Sequence, residues 1–231
     1  MSMVRSLYLF EVATVRDNGV PIPVFLLNLA DGRWWLVDTG CPAAMIGDPD
    51  APFAVTEESH VLGRLDRLGL GPGDVDTVIV SHLDPDHSGA NDEFPHAEFV
   101  VQRAQYEHAT RSGLLRYEWL RSHWDMPDPR LVDGDTELVS GVTLIECGGH
   151  VPGHQAVLVE LPDTGPVLLA GDAWMRDTDP ATRPLTKHDL DGPATRASQR
   201  KLMDLTGIAL VVHNHDIDQW RTLRHAPARY T

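Results

Sequence analysis

The segment from Val75 to Ala90, VDTVIVSHLDPDHSGA, constrains the chain more than any other. An apolar run stops there in His82, Asp84, Asp86 and His87, all within six positions. Groups crowded this tightly repel one another or lose their water together, and a buried carboxylate without a partner is driven toward protonation. A bound cation removes the conflict. The fold must therefore offer a rigid strand end in a cleft where further ligands can meet it.

Other candidate ligands also follow apolar runs. His150 comes after VTLIECGG, Asp172 after VLLAG, and His213 and His215 after IALVV. An isolated histidine at a strand end is more often a hydrogen-bonded structural residue, and an isolated Gly-Asp pair is an ordinary turn. The dense cluster resists that explanation, because Asp84, Asp86 and Asp172 would then sit together as like charges in a partly desolvated cleft.

Between these points the chain reads as two similar halves. RSLYLFEVATV, IPVFLLNL and RWWLVDTG form a strand meander, with Asp31-Gly32 at the second turn. TEESHVLGRLDRLGL carries Val61, Leu62, Leu65 and Leu68 at helical spacing and ends at Gly69; VDTVIVS and AEFVVQ are strands. TELVSGVTLIECGG and HQAVLVELPDTGPVLLAGD read as hairpins, ATRASQRKLMDLTG as a helix and IALVVHNHD as a closing strand. From about 102 to 127 the composition is helical and rich in aromatics, including Tyr106, Tyr117, Trp119 and Trp124. This is an insertion that either covers one face or forms a lid over the site. Two sheets flanked by helices follow, in a single domain spanning 1–231.

With 231 residues the chain can bury one sizeable core, and a net charge of −15 opposes binding to nucleic acid or an anionic membrane surface. No apolar segment reaches the ~18 residues that span a bilayer. The opening MSMVRSLYLFEVATV alternates polar and apolar residues and carries Glu11, so it reads as a first strand and not a signal peptide. The expected location is the cytoplasm and the expected partner a small-molecule substrate, with room left for an oligomer. Cys41 and Cys147 are too few for a disulfide framework and read as packing residues. Serine hydrolase chemistry lacks its G-x-S-x-G elbow, and GLGPGD lacks the Lys and Ser/Thr of a phosphate loop.

SHLDPDHSG, GGHVPGH, LLAGD and HNHDID, in that order, resemble the metallo-β-lactamase superfamily, whose signature is H-x-H-x-D-H followed by distant His, Asp and His ligands. FLLNLADGRWWLVDTGC, PGHQAVLV and HDIDQ are similar to segments of its N-acyl-homoserine-lactone lactonase branch. The resemblance implies an α/β four-layer αββα sandwich and two divalent metal ions, with zinc favoured. It assigns His82, Asp84 and His150 to one metal, Asp86, His87 and His215 to the other, and Asp172 as a bridge. HDIDQ favours His215 over His213, and His154 would orient a ligand from behind.

Two positions depart from the branch. Asp84 stands where the signature has its second histidine, and added oxygen donors make iron or manganese candidates. Met175, three residues after Asp172, replaces a tyrosine that helps hold the substrate carbonyl; His188 and the tyrosines of the insertion are candidate substitutes. The expected activity is hydrolysis of a lactone or related carboxylic ester by a hydroxide shared between the metals, with Asp86 passing a proton to the leaving alkoxide. A di-iron redox enzyme, as in flavodiiron proteins that resemble this chain in placing a carboxylate at this position, and a degenerate ligand-binding member are the alternatives.

Overall fold

The structure is a computed structural model and describes residues 3–179, 181–182 and 184–231. Met1 and Ser2 of the opening segment lie outside the described residues.

Alternation along the first three strands, β1 (Val4–Val15), β2 (Pro21–Leu29) and β3 (Trp34–Val37), sets up both faces of the first sheet. Leu7 and Leu9 face one way and Tyr8 and Phe10 the other, and all four are buried. A strand that hides both faces must lie between two layers. The meander is antiparallel as expected, and β5 (Val75–Ile79) and β6 (Glu98–Gln102) continue the sheet in parallel from β3. Two short strands escaped the sequence reading. β4 (Phe53–Ala54) pairs with β1, and β7 (Arg130–Val132) pairs with β6, giving seven strands in the order β4-β1-β2-β3-β5-β6-β7. Two or three residues carry too little periodicity to stand out.

The second sheet holds β8 (Thr136–Val139), β9 (Val142–Glu146), β10 (Gln155–Leu161), β11 (Gly165–Leu169) and β12 (Leu210–Val212), in the order β12-β11-β10-β9-β8. Both expected hairpins form, and β12 joins β11 in parallel. The halves are therefore unequal in strand number.

Leu7, Leu9, Phe25, Leu27, Val37 and Ile79 from the first sheet pack against Val142, Leu144, Val157, Val159 and Val167 from the second, making a core between the sheets. The outer face of the first sheet is covered by α1 (Val61–Asp66) and by the inserted helices α3 (Arg103–Arg111), α4 (Leu115–Glu118) and α5 (Arg121–Trp124). Between these, α2 (Pro85–Ser88) is a single turn after β5. The outer face of the second sheet packs on α6 (Gly192–Met203) through Leu202, and α7 (Ile217–Trp220) follows β12. The layers thus run helix, sheet, sheet, helix. Among the described residues no helix is long and apolar enough to cross a membrane.

Candidate metal centre

Parallel pairing puts the ends of β5, β11 and β12 on one edge, and β9, antiparallel to β10, ends there too. At the seam between the sheets Gln155 donates to the Val80 carbonyl at 2.8 Å and accepts from Gln102 at 3.0 Å. That link makes the edge of both sheets a common platform.

Each candidate ligand leaves one of these strand ends. After β5, Pro85 opens α2, where its fixed φ and missing N–H suit the first helical position. The Asp84 carbonyl accepts from the N–H groups of His87 and Ser88, both at 3.0 Å, and this single turn aims Asp86 and His87 at the same cleft as His82. His150 follows β9, Asp172 lies in the 3-10 turn Gly171–Trp174 after β11, and His215 follows β12.

All seven sequence-derived residues meet. The ligand atoms of His82, Asp84 and His150 lie within 4.8 Å of one another, as do those of Asp86, His87 and His215, and those of His82, His87 and Asp172. Asp172 lies between the groups. Its Oδ2 is 3.5 Å from His150 Nε2, and its Oδ1 is 3.5 Å from His87 Nε2 and 3.1 Å from His215 Nε2. The three groups overlap, sharing His82 and His87, and Asp172 belongs to the one that joins them.

Four imidazoles are held through Nδ1 so that Nε2 faces the centre. His82 Nδ1 meets Ser81 Oγ at 3.0 Å, His87 Nδ1 meets Asp38 at 2.8 Å, His150 Nδ1 meets Asp189 at 3.2 Å, and His215 Nδ1 meets the Pro21 carbonyl at 2.9 Å. Such partners set ring orientation and tautomer in metal sites. His82 Nε2 and His87 Nε2 are buried and have no hydrogen-bond partner. Buried polar atoms without partners are rare and need a reason. Two nitrogens aimed into a cleft of carboxylates fit divalent cations.

The electrostatics agree. Burial opposes charge on His87, yet Asp86, Asp172 and the hydrogen bond to Asp38 push its pKa up to about 10. His150 is opposed in the same way, but Asp189, Asp84 and Asp172 take it to about 9. Burial also resists ionisation of Asp84 and Asp172, and it loses to the histidines around them, which with Arg116 beside Asp84 hold both carboxyls well below the usual range. Among the imidazoles, the carboxylates favour the protonated form of His87, His150 and His215, whereas burial lowers the pKa of His82.

His154 stands behind the centre. Its Nε2 accepts from the Asp172 N–H at 2.9 Å and its Nδ1 meets Cys147 Sγ at 3.3 Å, so it positions Asp172 through the backbone. His213 turns away, with Nδ1 on the Trp174 carbonyl at 2.9 Å. Both cysteines are buried and free.

Three partners were missed from the sequence. Asp38 accepts from the Ser81 N–H and hydroxyl, each at 2.7 Å, besides holding His87; its signal was present in LVDTG, an acid closing an apolar strand. Asp189 had no local signal. Arg116 lies on α4 and forks onto Asp84: Nε reaches Oδ1 at 2.7 Å, Nη2 contacts Oδ2, and Nη1 donates to the His188 carbonyl at 2.8 Å. Tyr117 and Trp124 are fully buried against the sheet, while Arg116 reaches the site. At His188 it is the backbone carbonyl, and not the ring, that takes part in this contact.

The chain and its fold match known proteins. The model of the metallo-beta-lactamase superfamily matches residues 17–227. An N-acyl homoserine lactonase from a Bacillus species is 32% identical over 219 residues, spanning 90% of this chain and 86% of that protein. The N-acyl homoserine lactonase AttM of Azorhizobium caulinodans is 32% identical over 238 residues, spanning 93% and 89%. The solved structure of an N-acyl homoserine lactone hydrolase, with the product N-hexanoyl-L-homoserine at its catalytic metal centre, superposes with a TM-score of 0.85 at 26% identity over 100% of both chains. Sandwich, donor cluster and relatives agree: the chain belongs to the metallo-β-lactamase superfamily.

Proposed function

We propose that this protein is a metal-dependent hydrolase that opens a lactone or a related carboxylic ester, with an N-acyl homoserine lactone as the first substrate class to test. The observation that carries the reading is the meeting of His82, Asp84, Asp86, His87, His150, Asp172 and His215 in overlapping clusters of ligand atoms within 4.8 Å. The lactonase relatives supply the substrate class. We read the whole chain, insertion included, as one cytoplasmic domain.

His82, Asp84 and His150 would hold one divalent ion and Asp86, His87 and His215 a second, with Asp172 between them. Zinc is favoured by the four imidazoles, and iron or manganese remain the oxygen-rich alternatives. When bound, such ions lower the pKa of a water toward ~7 and polarise the carbonyl it attacks. The protein's own residues do the rest. Asp38, Ser81, Asp189 and the Pro21 carbonyl keep four Nε2 atoms on the centre, so little reorganisation is needed as charge develops. Asp86 has a partly exposed carboxylate beside His87, and it accepts the proton of the attacking water and returns it to the leaving alkoxide. Water thus opens the lactone ring to a hydroxy acid, which ionises at neutral pH to the hydroxycarboxylate and releases one proton.

The di-iron alternative leaned on Asp84 as an extra oxygen donor. Arg116 engages both oxygens of that carboxylate, which weakens it. The test is elemental analysis of the purified chain together with pH-stat assays on lactones, esters and thioesters. Stoichiometric zinc with chelator-sensitive ring opening is expected; stoichiometric iron with oxygen consumption, or no turnover on any of the panel, overturns the proposal.

A further inference from the structure

We infer that the two metal subsites are unequal: the Arg116 guanidinium competes with a cation for the His82, Asp84 and His150 cluster, so the cluster of Asp86, His87 and His215 fills first. The inference rests on the metal-hydrolase reading above and goes beyond it.

Arg116 meets the atoms that a cation in the first cluster would need. Its Nε and Nη2 engage both oxygens of Asp84, and the same Nη2 lies 3.4 Å from His150 Nε2. Asp84 Oδ2 in turn is 3.3 Å from His150 Nε2, so the guanidinium edge caps that donor pair. The arginine is anchored by the His188 carbonyl at 2.8 Å, and only 17% of its side chain is exposed. A guanidinium does not deprotonate in proteins, and a fork on a carboxylate is among the strong charge-assisted pairs.

Charge decides between the clusters. In the first, the carboxylate of Asp84 is already neutralised by Arg116, and an arriving cation would face a fixed positive group at close range in a poorly screened cleft. In the second, Asp86 pairs with His87 and, among the described residues, with no lysine or arginine. Aspartate at position 84 is what invites the guanidinium. A neutral imidazole there would offer it no charge. Occupation of the first cluster therefore requires Arg116 to withdraw, and the energy of breaking its fork is subtracted from the affinity of that step.

The test is a calorimetric titration of the chelator-stripped full chain with zinc, in the wild type and in Arg116→Gln and Asp84→Asn. In the wild type the second ion is expected to bind about tenfold or more weakly than the first, since the guanidinium is a close and only partly screened charge. Arg116→Gln should tighten the second step by a similar factor and leave the first unchanged. Asp84→Asn removes a donor along with the arginine's partner, so it should keep the first step and lose the second. Two equal steps in the wild type, or a second step untouched by Arg116→Gln, overturn the inference, as does the absence of zinc binding. Lactone turnover on the same samples keeps the two readings apart. Unequal binding without ring opening removes the proposed activity and leaves the inference standing, whereas ring opening with two equal steps does the reverse.

Discussion

At Asp38 one carboxylate holds three groups: the Ser81 N–H, the Ser81 hydroxyl and His87 Nδ1. Removing it frees the His87 ring and, through Ser81, the His82 ring. We expect Asp38→Ala to lower metal affinity by roughly 10–100-fold, as loss of such outer partners does elsewhere, with an unchanged far-ultraviolet spectrum. Metal retention during dialysis against a graded chelator measures this, and full retention would refute the role. A pH dependence belongs to the same scale. In the metal-free chain His87 is raised to about 10 and His150 to about 9 from an ordinary 6.5. Between those values the folded state binds more protons than the unfolded one. Their stabilisation is thus complete below about pH 6.5 and lost as pH climbs through about 9 and 10. We expect the melting temperature of the chelated chain to fall from pH 7 to 10, while zinc binding tightens over the same range as the imidazoles shed protons. A flat profile for both would show that the rings are neutral without metal.

At the level of elements, the loop carrying His150 depends on how closely it approaches α6. Gly149 has φ +123°, and a Cβ there would run into the backbone of Thr195 in the first turn of that helix. We expect Gly149→Ala to lose ~1–3 kcal/mol of stability, the range for overpacking, and to reduce metal content, because the neighbouring His150 moves with the loop. Asp191→Ala is the control. It removes the cap on the Ala194 N–H, about 1 kcal/mol by analogy with other N-caps, but leaves the His150 loop in place. Urea midpoints with parallel metal analysis distinguish the two, and equal metal loss in both would refute the close-approach argument. A similar constraint holds at Gly171, whose φ is +57° and where a Cβ would strike the His154 ring. The longer strands were legible as apolar runs bounded by turn residues, and the turn at Asp31-Gly32 from its residues. β4 and β7 were not, since the two or three residues of each pair through partners distant in sequence.

For the molecule as a whole, the core between the sheets holds both walls of the site at a fixed separation. Leu27 is fully buried there. We expect Leu27→Ala to destabilise the fold by ~2–5 kcal/mol, with the denaturant slope unchanged, whereas Leu115→Ala, at 79% exposure, should stay within about 0.5 kcal/mol. Chemical denaturation measures both, and comparable losses would refute the role given to Leu27 in the inter-sheet core. The acidity of the chain has a local meaning at this scale too. With Asp84, Asp86 and Asp172 gathered at one edge, part of the −15 charge is a demand for cations at a single place.

By itself the sequence picked out the candidate donor residues and the succession of the longer strands along the chain. Both depend on short-range patterns: apolar runs that must be buried, and ionisable groups placed where those runs stop. The tertiary structure alone decided how those donors are partnered. Asp38 with His87, Asp189 with His150 and above all the ion pair of Arg116 with Asp84 join residues remote in the chain, brought together by packing of the insertion and loops around the strand ends. Local spacing carries no information about which of many surface charges will be carried into a cleft. Coulomb attraction in a buried site makes the choice only once the fold has brought the candidates together.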